Sequence, residues 1–132
     1  MEEPIEAVKG IYGAFGRGDI PSILSALAPD IEWVNPGPDD LSYFGVRRGR
    51  DAVQQLFEYV GGEFELAQFE PKLFFAEGET VAVVLQMKGR MRSTGKEFEQ
   101  DLAHIFSFGD DGLVTNFLDI QNTAAVADAL RP

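Results

Sequence analysis

Cysteine is absent from the 132 residues, and histidine and tryptophan occur once each, as His104 and Trp33. The first absence removes disulfides, a thiolate nucleophile and every Cys-based zinc or iron–sulfur site. A single imidazole removes His-rich metal centres, and no metal or other cofactor is expected. Basic residues are also scarce: eleven Lys and Arg stand against twenty-two Asp and Glu, for a formal net charge of −11. With so few cations no surface can neutralise a run of phosphates, so nucleic acid is not an expected partner, and anionic lipid headgroups would be repelled. No apolar run approaches the roughly twenty residues that a membrane span requires. The opening MEEPIEAVKG is acidic where a secretory signal would be basic, which makes the cytoplasm the expected location.

What remains is a chain close to the commonest length of one domain, with no repeat, linker or low-complexity tract, so residues 1–132 are read as a single domain. Ile5, Val8, Tyr12 and Phe15 recur at helical spacing from a start near Pro4, and Gly16-Arg17-Gly18 ends that helix. Asp19 stands at an N-cap position before a second, short helix with Pro21 just inside and Pro29 beyond its end. Residues 31–35 read as a strand. The stretch from Pro36 to Gly49 holds too many breakers for regular structure and reads as a long loop. Val53, Leu56, Phe57 and Val60 form a third helical stripe, stopped by Gly61-Gly62. The period then changes: segments 64–75, 80–92, 96–108 and 113–121 read as four antiparallel strands, and residues 123–130 as a short last helix. Helices first and strands after imply an α+β fold in which about three N-terminal helices cover one face of a curved antiparallel sheet.

The last hairpin carries the chemistry. A two-residue turn at Asp110-Asp111 pairs Gly109 with Gly112 and sets His104 opposite Phe117, with Asp119 one diagonal step away on the same face. The face of Phe98, Leu102, His104, Phe106 and Phe108 is the more apolar one, so both groups point to the greasy side. A lone histidine there can be a satisfied core residue. A carboxylate beside it is less ordinary, because desolvation disfavours its charge, and the pair becomes a candidate for proton transfer. Trp33 and Asn35 share a face of the first strand and suit a pocket wall or the core. Tyr43 in the long loop suits a cavity mouth or loop packing. Phe15, Phe57, Leu102, Phe106, Phe117 and Gln121 complete the candidate lining.

The run from Ile11 to Asp19, then Leu27-Ala28-Pro29-Asp30-Ile31-Glu32-Trp33, resembles the opening of SnoaL-like proteins of the nuclear transport factor 2 and ketosteroid isomerase superfamily. Gly45-Val46-Arg47-Arg48-Gly49-Arg50-Asp51, Thr94-Gly95-Lys96-Glu97-Phe98, His104-Ile105-Phe106 and Asn122-Thr123-Ala124 continue the resemblance in order along nearly the whole chain. It implies a cone-shaped, cystatin-like α+β barrel around an apolar cavity, with dimerisation through the outer sheet face. Steroid isomerases of this superfamily use a tyrosine, an aspartate base and a protonated acid. Those positions fall here at Ile11, Asn35 and His104, with Tyr12 one residue off on another face, so that mechanism is not expected. Epoxide-hydrolase relatives want an arginine where Glu99 stands. SnoaL-type polyketide cyclases match better, since their histidine and aspartate fall at His104 and Asp119.

The resemblance and the dyad lead to one expectation: cofactor-free cyclase, isomerase or lyase chemistry on a small apolar carbonyl compound, with Asp119 and His104 catalytic. The other reading is a non-catalytic binding or dimeric interaction module. An open cavity of roughly 300 Å³ or more favours the first, and a collapsed one the second. A homodimer is expected because both faces of the strand carrying Val81 to Met87 are apolar.

Overall fold

A computed structural model describes residues 3–132; Met1 and Glu2, which open the acidic N-terminal segment, lie outside the described residues. Helix α1 spans Pro4–Gly16 and α2 spans Ile20–Ser25, with the Asp19 side chain accepting from the Ser22 N–H as its cap. Strands β1 (Leu27–Asn35) and β2 (Gly45–Arg48) precede helix α3 (Arg50–Glu63). A meander follows: β3 (Phe64–Glu77), β4 (Thr80–Met91), β5 (Glu97–Phe108) and β6 (Val114–Ile120). Helix α4 (Thr123–Leu130) closes the chain, capped by Asn122 accepting from the Ala125 N–H. The six strands make one curved sheet in the order β2-β1-β6-β5-β4-β3. The fold is α+β, as the order of apolar periods implies. One pairing is parallel: β1 joins β6 and so places the N-terminal strand beside the C-terminal one.

Four local readings change. The breaker-rich segment contains β2, an edge strand whose register on β1 is Val34 with Val46 and Asn35 with Gly45. Such a short strand exists only through its long-range partner, which local sequence does not display. Strand β1 begins four residues earlier than read, at Leu27, and carries an irregularity between Leu27 and Glu32 where Pro29 sits. Helix α3 runs through Gly61-Gly62 to Glu63 before the Phe64 N–H closes on the Val60 carbonyl. Two glycines weaken a helix by about 1 kcal/mol each relative to alanine, which the packing of Val53, Leu56 and the buried Phe64 offsets.

The fourth change matters most to the site. The β5–β6 connection is wider than two residues: the Gly109 N–H bonds to the Leu113 carbonyl, Asp111 accepts from the Leu113 N–H, and Gly112 takes φ 80°. Phe108 therefore faces Val114, and past an irregularity Phe106 faces Phe117 and His104 faces Asp119 directly. The pairing at His104 is shifted by two residues from the tight-turn register. Because side chains alternate with period two, that shift keeps both groups on one face and brings them closer.

The concave side of the sheet and the helices enclose the core, where Ile23, Leu27, Ile31, Val53, Leu85 and Met91 are fully buried. Burial on β4 and β5 alternates residue by residue, as a sheet with one covered face requires. On the convex side, cross-strand partners Phe75, Ala82, Ile105, Leu118, Val34 and Val46 form an apolar row across all six strands.

Candidate functional site

His104 and Asp119 meet at the centre of the concave face, each only 7% exposed. The His104 Nε2 lies 3.3 Å from Asp119 Oδ1, and its Nδ1 lies 2.7 Å from the Tyr12 hydroxyl. Burial, and then the Asp119 charge, push the Tyr12 phenol far above its ordinary pKa, so the phenol keeps its hydrogen and donates it to Nδ1. The hydrogen of the imidazole then sits on Nε2 and faces the carboxylate. Tyr12 and the imidazole are nearly parallel, with Phe117 packed edge-on against the other side of the ring. Sequence reasoning set Tyr12 on another helix face and missed this partner. The curved sheet wraps α1 over a wide arc, so the stripe of Tyr12 and Phe15 reaches the interior beside the stripe of Val8, Ile11 and Ala14. The apolar spacing of Tyr12 and Phe15 was the available signal.

The other side of Asp119 is held by amides whose direction is fixed from the backbone. The Asn122 N–H can only donate, so it sets Gln100 Oε1 toward itself at 2.9 Å. Gln100 Nε2 must then face Gln121 Oε1, also at 2.9 Å. Gln121 Nε2 in turn donates to Asp119 Oδ2 at 2.9 Å and to the Tyr43 hydroxyl oxygen at 2.6 Å. This chain fixes the Asp119 rotamer, leaving Oδ2 occupied. Oδ1 is buried with no aligned donor, because the Nε2 contact at 3.3 Å lacks hydrogen-bond geometry. A free lone pair is therefore left on the carboxylate beside the imidazole.

Asn35 presents a second such atom. Its Nδ2 donates to the Tyr43 carbonyl at 3.3 Å, which orients the amide and leaves Oδ1 buried without a partner. Arg47 donates to the same carbonyl at 3.0 Å, so Tyr43 is clamped from two sides although it belongs to an irregular segment. It is 5% exposed, a packed residue of the site rather than a flap. Burial raises the Tyr43 phenol pKa far above its ordinary value, with Asp119 adding to the effect.

These groups line an inner chamber of about 80 Å³. Its wall includes Phe15, Trp33, Asn35, Tyr43, Phe57, Phe106 and Phe117 with His104 and Asp119, as the sequence suggested, and also Tyr12. Leu102 and Gln121, assigned to the lining from sequence, lie outside it: Leu102 packs in the core, and Gln121 acts on Asp119 from behind. Trp33 stacks on Phe117 with ring centroids 3.8 Å apart, so these aromatics pack as a wall. An outer cavity of about 550 Å³ adjoins the chamber and shares Tyr12, Phe15, Phe57, Val60 and Phe69 with it. Among the described residues no group of three His, Asp or Glu side chains is arranged to hold a metal, and no helix is long and apolar enough to cross a membrane.

Solved structures share this fold. A nuclear transport factor 2-like protein from Burkholderia xenovorans LB400 shares 32% identity over 97% of this chain and 95% of its own, with a TM-score of 0.87. One from Burkholderia thailandensis E264 shares 30% identity over the whole of both chains at a TM-score of 0.86. TerC, co-crystallized with polyporic acid, is 26% identical over 96% of each chain at a TM-score of 0.83. No curated protein matches the sequence. The family model for the SnoaL-like domain matches residues 8–117, a span that takes in Tyr12, Asn35, Tyr43 and His104. The chain belongs to the SnoaL-like family of the nuclear transport factor 2-like superfamily.

Proposed function

We propose that this protein catalyses cofactor-free proton transfer beside the carbonyl of a small, largely apolar compound, as an isomerase, cyclase or lyase in the cytoplasm. The observation that carries the reading is the buried, unpartnered Asp119 Oδ1 beside the His104 Nε2–H. Asp119 takes a proton from the carbon next to the carbonyl, and the bonding electron pair moves onto the carbonyl oxygen. The Nε2–H of His104 donates to that oxyanion, with Tyr12 holding the ring in the tautomer that can do so. The proton then returns at another carbon, or the enolate attacks a second carbonyl and closes a ring. The co-crystallization of TerC with a small organic compound supports a small ligand for a chain of this shape.

The test is exchange rather than turnover of an unidentified substrate. Aryl alkyl ketones incubated with the protein in heavy water should gain deuterium next to the carbonyl, as followed by proton NMR. Asp119→Asn should lower the rate by about 10²–10⁴-fold, the range expected of a general base. Equal exchange by wild type and variant would remove Asp119 from the chemistry.

One observation favours the second reading, a non-catalytic binding module. The inner chamber of about 80 Å³ falls well below roughly 300 Å³ and below the cavity of about 150 Å³ that holds benzene elsewhere. Chemistry at Asp119 therefore requires Phe15 or Phe57 to move so that the chamber joins the outer cavity. Tight ketone binding with no exchange in any member of the panel would establish the module.

A further inference from the structure

The chamber contains an electrostatic oddity that proton transfer alone does not use. In the parallel pairing of β1 with β6, Trp33 faces Phe117 and Val34 faces Leu118. Continuing that register by one residue sets Asn35 beside Asp119, on strands whose spacing is about 4.8 Å. Both residues line the chamber, at 2% and 7% exposure, and each has a buried acceptor oxygen with no donor. Neither oxygen, one of them on a carboxylate, receives the hydrogen bond that a buried polar group requires. Rotating the Asn35 amide does not relieve this, because its Nδ2 would then leave the Tyr43 carbonyl and its Oδ1 would face it. The orientation of the unpartnered oxygen is built in.

We infer that the ligand is an α-hydroxy carbonyl compound with an apolar tail: its hydroxyl donates to Asn35 Oδ1 while the hydrogen on the same carbon faces Asp119 Oδ1. The inference rests on the proton-transfer reading for the second contact but not for the first. A carbon bearing both a hydroxyl and an acidic hydrogen supplies two hydrogens that diverge from one centre, one for each acceptor. A simple ketone leaves Asn35 unpartnered, and a site whose buried acceptor goes unpaired discriminates strongly against such a ligand. The polar head occupies the inner chamber, and once Phe15 or Phe57 moves the tail extends past Phe69 into the outer cavity. Abstraction of the carbon-bound hydrogen by Asp119 yields an enediolate. The hydroxyl proton passes to the former carbonyl oxygen across the enediolate, and return of the first proton from Asp119 to the former carbonyl carbon leaves the carbonyl on the carbon that bore the hydroxyl, with no oxidant or reductant consumed.

The experiment is calorimetric binding of two probes with one tail, phenethyl hydroxymethyl ketone and phenethyl ethyl ketone, in which a hydroxyl replaces a methyl of similar size. Wild-type protein should bind the hydroxy ketone at least tenfold more tightly. Asn35→Leu, verified as folded by circular dichroism, should reduce that preference to within about twofold. Equal or tighter binding of the ethyl ketone by wild type overturns the inference, as does an undiminished preference in the folded variant. Should Asn35→Leu not fold, the wild-type pair still decides. Binding is read without turnover, so an absence of deuterium exchange would remove the proton-transfer reading and leave the hydroxyl preference standing.

Discussion

Tyr12 and Tyr43 flank the dyad from opposite sides: the first donates to the imidazole, and the second accepts from the glutamine that holds the carboxylate. Both phenols are buried, and desolvation is the leading cause that holds each far above the ordinary tyrosine pKa. The unfolded chain loses these protons near pH 10, whereas the folded chain keeps them. Their contribution to stability is therefore complete below about pH 10 and is lost as pH rises above it, by about 1.4 kcal/mol per pH unit for each phenol. Urea denaturation between pH 9 and 12 should show this decline, with a shallower slope for Tyr43→Phe. Ultraviolet titration of the folded protein should show neither phenol ionising near pH 10. The same residues show how far sequence reaches. His104 and Asp119 were legible because strand alternation assigns faces from residue numbers alone. The partnership of Tyr12 with His104 was not, since periodicity puts Tyr12 on the apolar stripe of the helix without saying which strand residue it meets.

Between elements, a close approach occurs where β3 and β5 flank Gly89 on β4. A Cβ at that position would lie 2.6 Å from the Glu65 carbonyl oxygen and 3.2 Å from the Phe98 ring. Backbone cannot yield as a flexible side chain would, so β3 would have to separate from β4. Gly89→Ala should destabilise the fold by about 1–3 kcal/mol, measured as a lower urea midpoint with the slope unchanged. The meander strands were readable within a few residues because turns at Gly78, Gly95 and Gly112 punctuate apolar runs, and each of these glycines has positive φ. Strand β2 and the true width of the last turn were not, because both are fixed by partners distant in sequence. The hairpin shows that a register error of two residues can leave a functional assignment intact, whereas an error of one would have separated the pair.

At the scale of the whole molecule, the convex sheet face carries exposed apolar side chains that no helix among the described residues covers. Beside the row that runs from Phe75 to Val46, a second row joins Leu73, Val84, Ala103 and Ile120. Phe75 is 57% exposed and Ile120 is 50% exposed, a combination that sheet surfaces facing water generally avoid. We propose that a second copy of the chain packs on this face. Sedimentation at micromolar concentration should give a dimer, and Ile105→Glu, which puts a charge in the middle of the row, should give a monomer. A wild-type monomer would refute the arrangement. Sequence by itself determined the α+β class, the family, the elements of the meander and the shared face of His104 and Asp119. The family follows from the resemblance of its ordered motifs, and the rest from local periodicity, turn chemistry and composition. Only the tertiary structure decided that β1 lies parallel to β6, that Tyr12 donates to the imidazole, and that Asn35 and Asp119, each with an unpartnered buried oxygen, line one small chamber. Those features arise from contacts between residues far apart in the chain, where curvature and register rather than local preference set which atoms meet.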